Sequence, residues 1–184
     1  MYLIKDLYKD PYINFSPIEV KGNENCFEID GAFGSKESLL LRTTGTVPFL
    51  CSPEFKLAVE QNGLTGIQFI EATIFKNNLR QDMQYFLPKI LGRISGPNDW
   101  TKCGVVTVGT DEKYKGLYVD VKSWTGHDFF LMDENSFVND VNVYISSKAE
   151  RVISKLKIKN FHTVPFSDIL YTKSIIDRML DDPW

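Results

Sequence analysis

Phe49-Leu50-Cys51-Ser52-Pro53-Glu54-Phe55 runs on through Leu57-Ala58-Val59 and closes with Gly63-Leu64-Thr65-Gly66-Ile67-Gln68-Phe69-Ile70. It reads as a short strand, a Ser cap, an amphipathic helix, a polar turn and a second strand. About 94 positions later the pattern returns as Val143-Tyr144-Ile145-Ser146-Ser147-Lys148-Ala149, then Val152-Ile153 and Leu156, then Ile158-Lys159-Asn160-Phe161-His162-Thr163-Val164. The letters differ and the alternation of apolar and polar positions is kept. This doubling implies an α+β fold, with two related strand–helix–strand units around a mostly antiparallel sheet. The units lie near residues 39–71 and 141–166, and no low-complexity stretch or long linker divides them, so residues 1–184 read as a single domain.

The first unit has clear boundaries. Ser52 suits an N-cap and Pro53 the first helical position, where a missing N–H costs nothing. Asn62-Gly63 supplies a left-handed stop, and Ile67 and Phe69 alternate with Gln68 as a half-buried strand does. In the second unit, Ser147 and Glu150 have capping-box spacing, and Ala149, Val152, Ile153 and Leu156 form the buried stripe. Outside the units, Phe27-Glu28-Ile29-Asp30 and Leu39-Leu40-Leu41-Arg42 suit short strands. Residues 79–92 stay open between a helix and a strand at Tyr85-Phe86-Leu87, because Pro88 interrupts the helical spacing. Val105–Val108 and Leu117–Val121 read as strands flanking a connection from Thr110 to Gly116. Ser167–Met179 reads as a last helix.

Composition narrows the function classes. Hydrophobic residues make up 43% and charged residues 24%, as in ordinary globular domains. Nothing reaches the roughly 18 consecutive apolar residues of a membrane helix, and no leader pattern opens the chain; a cytoplasmic protein without membrane partners is expected. Three widely spaced cysteines do not make a disulfide framework. A net charge of −3 argues against general nucleic-acid binding. The charge is uneven: Lys148, Arg151, Lys155, Lys157 and Lys159 follow an acidic stretch holding Asp111, Glu112, Asp120, Asp128, Asp133, Glu134 and Asp140. Such blocks suit a solvated face or the steering of an oppositely charged protein.

Motifs for chemistry are sparse. The two histidines, His127 and His162, show no metal-ligand spacing, so neither a metal nor another cofactor is expected. No nucleophile elbow or phosphate loop is present. Lys102 beside Cys103 would favour a thiolate slightly if both were exposed. The most distinctive segment is Trp124-Thr125-Gly126-His127-Asp128-Phe129-Phe130. It reads either as a loop anchored by its aromatics or as a contact loop with Trp124, His127 and Asp128 at its tip; His127 and Asp128 could also form an acid–base pair.

The second half resembles a bacterial family of immunity proteins from polymorphic-toxin systems. The resemblance rests on Trp124, Gly126, Asp128 and Phe129, then on Tyr144-Ile145-Ser146-Ser147-Lys148, and on the closing Phe161-His162-Thr163-Val164-Pro165. The first unit is similar to the helix-and-strand ending of related immunity families. One branch carries paired Cys-x-x-Cys-Gly motifs, which this chain lacks. The resemblance implies inhibition of a cognate toxin domain by binding, with no catalytic residue and no cofactor. Its expected contact residues are Trp124, His127 and Asp128 on the loop, and Arg151 and Lys155 on the basic helix. A small enzyme with a pocket near His127 and Asp128, or a phage or mobile-element adaptor, are the alternatives.

Overall fold

A computed structural model describes residues 1–6, 14–17, 25–30, 40–42, 49–95, 98–133, 142–156, 158 and 161–181. The strands in the first half are β1 (Tyr2–Asp6), β2 (Asn14–Pro17), β3 (Cys26–Asp30), β4 (Leu40–Arg42) and β5 (Phe49–Cys51). After helix α1 (Pro53–Gln61) come β6 (Ile67–Lys76), β7 (Leu79–Arg80), β8 (Tyr85–Ile90) and β9 (Gly92–Ile94). Next are β10 (Gly104–Val108), β11 (Asp111–Lys115), β12 (Phe129–Met132) and β13 (Tyr144–Ile145). The chain ends with α2 (Ser147–Ile153), β14 (Phe161–Pro165), β15 (Leu170–Thr172) and α3 (Lys173–Asp181). The fold is α+β.

The two repeats are two sheet-and-helix units of matching topology. In the first, the strand order is β6-β8-β5-β4, with every neighbour antiparallel. In the second it is β14-β1-β13-β12, again all antiparallel. Each helix therefore joins two strands that run parallel to each other with one strand inserted between them. In the first unit the inserted strand, β8, follows the helix in sequence. In the second it is β1, from the far end of the chain. The larger sheet continues from β6 through a parallel β3 to β2, and β9 extends the second sheet by pairing parallel with β12. Pro88 is accommodated in β8 because β5 pairs β8 only at Cys51↔Phe86, so Pro88 lies beyond the stretch that must donate on that side.

The units share one core. Phe49, Cys51, Phe55, Val59, Phe86 and Ile90 from the first pack in a single cluster with Phe129, Ile145, Ala149, Ile153 and Phe161 from the second. Edge-to-face rings cross the join: Phe161 on Phe49 at 5.7 Å, Phe49 on Phe55 at 6.5 Å and Phe55 on Phe129 at 6.3 Å between centroids. The buried helix positions correspond, Phe55 to Ala149 and Val59 to Ile153. Both pairs lie in the shared cluster, and the small Ala149 where α1 has Phe55 leaves room for α1 and α2 to come into contact.

Both faces of these sheets are covered, which explains the unbroken apolar runs. Phe129 and Ile145 face the shared core. Phe130 and Tyr144 face a second cluster with Leu3, Ile94, Leu117 and Ile169. Leu50 turns away from its neighbours Phe49 and Cys51 to join Phe27, Ile74 and Tyr85 on the opposite face.

Three expectations are corrected. The hairpin is β10–β11, closed by Gly109-Thr110, and Leu117–Val121 is not a strand. Leu117 is instead a core residue, tied by its N–H to Phe166 O. The last helix starts at Lys173, because Leu170–Thr172 pairs with β11 as a third strand. The second cap is Ser146, not Ser147. Its hydroxyl accepts from Ala149 N–H at 3.1 Å, as Ser52 accepts from Phe55 N–H at 3.2 Å. The two caps have nearly the same backbone, φ −70°, ψ 164° and φ −71°, ψ 163°.

Where β8 passes into β9 the chain leaves one sheet for the other, and the start of β12 crosses directly over Gly92. A Cβ there would collide with the Phe129 carbonyl and lie 2.8 Å from His127 Cβ and 2.9 Å from Phe130 Cβ. Gly104 at the start of β10 faces open space. Gly92→Ala should cost about 1–3 kcal/mol by overpacking against backbone, and Gly104→Ala should stay within about 0.5 kcal/mol. Urea denaturation of both variants checks the contrast.

Candidate functional site

The 124–128 segment runs from β9, at the edge of the second sheet, to the turn after α1. Trp124 is half-buried, with its ring 5.9 Å from Phe130 and its indole N–H donating to His127 O at 3.0 Å. Thr125 is tied to β9: its N–H reaches Arg93 O, and its hydroxyl accepts from Arg93 N–H, both at 3.0 Å. The exposed tip is Thr125-Gly126. His127 is half-buried, with its Cβ close over Gly92.

Asp128 does not stand at the tip, where the sequence reading put it. It is 7% exposed and lies at the join of the two units. One carboxylate oxygen accepts the Ser146 hydroxyl at 2.6 Å. The other accepts Thr65 N–H at 3.0 Å, the Thr65 hydroxyl at 3.3 Å and Lys148 Nζ at 3.5 Å. The Asp128 carbonyl accepts from Ser146 N–H at 2.9 Å, and Lys148 also donates to Gly63 O at 2.9 Å. Phe129 N–H donates to Thr65 O at 3.0 Å. Burial opposes the charge on Asp128, but Ser146, Thr65 and Lys148 together outweigh it and hold the carboxyl below the usual aspartate range. These donors occupy the oxygens that a His127–Asp128 acid–base pair would need.

This arrangement connects the two regions that the sequence treated separately. Lys148 and Ser146, at the amino end of α2, close on the loop through Asp128. Arg151 in α2 remains exposed, its Nε donating to Ser147 O at 3.2 Å; Lys155 is exposed too but lies in the 3-10 turn Ser154–Leu156 that follows α2, not on the helix where the sequence placed it. Lys157, Lys159, Glu134 and Asp140 of the charge blocks lie outside the described residues. Thr65 and Ser146 were not foreseen as partners of Asp128. The repeated Ser at the strand-to-helix junction was the available signal for Ser146, while Thr65 is 63 residues away and had none.

The cysteines are free, with Cys26 and Cys51 buried. Burial pushes the Cys51 thiol well up. At Cys103, burial also raises the pKa, against an opposing hydrogen bond from Asn98, and the thiol donates to Gly116 O at 3.4 Å. Lys102 bridges Asp99 at 2.8 Å and is not its activator. Among the described residues no group of His, Cys, Asp and Glu could hold a metal ion, and no helix is long and apolar enough to cross a membrane. No protein-family model matches the chain, and no curated protein matches its sequence.

Because the folded state holds Asp128 ionised more readily than the unfolded chain does, its contribution is fully present above the ordinary aspartate pKa. It is lost as pH falls through the folded-state value. Asp128→Asn should cost about 1.5–3 kcal/mol at neutral pH, the range for hydrogen bonds to a charged group. The difference from the parent chain should shrink with acidification. Denaturation curves of both proteins between neutral and acid pH provide the check.

Proposed function

We propose that the protein is an immunity protein, neutralising a cognate bacterial toxin domain by direct, non-catalytic binding in the cytoplasm. The observation that carries this reading is the rigid mounting of the cationic helix. Asp128 fixes the amino end of α2 through Ser146 and Lys148, while Arg151 and Lys155 stay in solvent. A charged face on an element that does not reorganise loses little entropy on binding and suits electrostatic steering. The Trp124 loop adds a second surface at the other end of the same hub, with Thr125-Gly126 outermost. Trp124 and His127 are half-buried beside that tip, and Asp128 is the buried support of the segment. The adaptor and small-enzyme readings gain nothing from this arrangement, since the carboxylate best placed for chemistry is already saturated by structural donors.

The direct test is co-expression in a sensitive host with the toxin candidate encoded beside this protein in its source genome. Growth rescue together with a stoichiometric complex is the expected result; rescue without a complex would indicate enzymatic reversal and sink the binding mechanism. In that complex, Arg151→Glu with Lys155→Glu should weaken affinity for an acidic surface by about tenfold or more, mainly through slower association at low salt. Stopped-flow or surface-resonance kinetics across a salt series would read it. An unchanged association rate at low salt removes this face from the interface.

A further inference from the structure

β10 is the outer strand of a three-stranded sheet ordered β10-β11-β15. Alternate N–H and C=O groups on its outer side have no partner strand among the described residues, and the chemistry that matches such a row is another extended backbone. Sheet edges are normally blunted by charge, proline or brevity. β14 carries Pro165 and β9 Arg93, while β4 and β15 are three residues long and β15 runs straight into α3. Gly104-Val105-Val106-Thr107-Val108 has no such protection. It is mostly β-branched and uncharged, with Val105 49% and Val108 45% exposed on opposite faces.

The geometry points to a second copy of this chain as the occupant, its β10 pairing antiparallel with the first about a two-fold axis at Val106. That register sets Gly104 opposite Val108, Val105 opposite Thr107 and Val106 opposite its own copy on the axis. The space that Gly104 leaves open receives Val108. Direction follows from charge. Exposed Lys102 lies just before the strand, and exposed Asp111 and Glu112 lie just after its turn. Antiparallel pairing brings opposite signs together at both ends, and parallel pairing would bring like signs together. Lys102 already bridges Asp99, so this effect selects orientation more than strength. The product is one continuous sheet, β15-β11-β10 followed by the second copy's β10-β11-β15, a closed isologous dimer. The inference is independent of the immunity reading.

Sedimentation velocity of the purified chain from about 1 to about 200 µM should show a weight-average mass rising towards twice that of one chain. Val106→Asp puts two carboxylates face to face on the axis. Within each chain the introduced carboxylate lies opposite Lys113 on β11, so folding is spared. Self-association should fall by about tenfold or more, with the melting temperature within a few degrees of the parent. Val106→Cys provides a reading that does not depend on the Asp variant folding. Opposed Cα atoms in an antiparallel pair lie about 4.5–5.5 Å apart, within disulfide range. Mild oxidation of Val106→Cys should give a covalent dimer that the parent chain does not form, its disulfide joining the two substituted positions as identified by peptide mass. A monomer at every concentration, a dimer that persists in folded Val106→Asp, or no cross-link between the substituted positions of Val106→Cys would each overturn the proposal.

Discussion

A carboxylate removed from water must be met by donors, and the Asp128 group is met by donors from both halves of the molecule. Thr65 comes from the turn after α1, while Ser146 and Lys148 come from the start of α2. Losing any one leaves a buried charge under-satisfied, so the cost of misplacement rises steeply with small displacements. Dispersion between phenyl rings fills the join but tolerates sliding. The carboxylate sets where the two units stop. Ser146 is central because its hydroxyl both donates to Asp128 and accepts from Ala149 N–H, tying the helix cap to the join. Its counterpart Ser52 caps α1 with no such acid among the described residues, so the symmetry of the repeats is broken at this point.

What could be read from the sequence was whatever has local cause. The Ser–Pro cap, the Asn62-Gly63 stop and the apolar runs of strands covered on both faces follow from steric and solvation rules acting within a few residues. The pattern match aligned Ser52 with Ser146, yet the capping-box spacing of Ser147 and Glu150 drew the reading one residue too far. The insertion of β1 between β13 and β14 had no local sign, because nothing near Tyr2-Leu3-Ile4 specifies a partner more than a hundred residues away. The same holds for Asp128. In sequence it is a polar residue between a histidine and two phenylalanines, which fits an exposed turn as well as a buried joint. The β10–β11 hairpin was missed because Leu117–Val119 alternates like a strand while serving as a core plug.

The surface divides into regions of different kinds. Lys148 stays exposed while its ammonium reaches Asp128 and Gly63 O, and Arg151 and Lys155 carry the rest of the basic face. The loop at Trp124 is fixed by its own indole N–H and by Thr125 on β9, which leaves little freedom for rearrangement around a ligand. The small sheet joins the rest of the molecule through Leu117, Ile169 and Tyr171 in the second cluster. Within it, α3 is held to β11 by the Tyr114 hydroxyl on Asp177 at 2.7 Å, with Lys173 on the same carboxylate at 2.6 Å. The β10 edge, which has no partner strand among the described residues, therefore belongs to the sheet that packs on the second cluster.

The origin of the inserted strands sets the order in which the protein can be assembled during translation. β4, β5, α1, β6 and β8 are consecutive apart from the short β7, so the first unit has all its strands as soon as residue 90 has left the ribosome. β1 is made before any of them, yet its two neighbours are not complete until residue 165. For most of synthesis its apolar part, Tyr2-Leu3-Ile4, has no sheet to join, and closing that long loop is entropically slow. The nascent chain thus holds a finished half beside an orphan strand, a state in which a ribosome-associated chaperone would have something to shield.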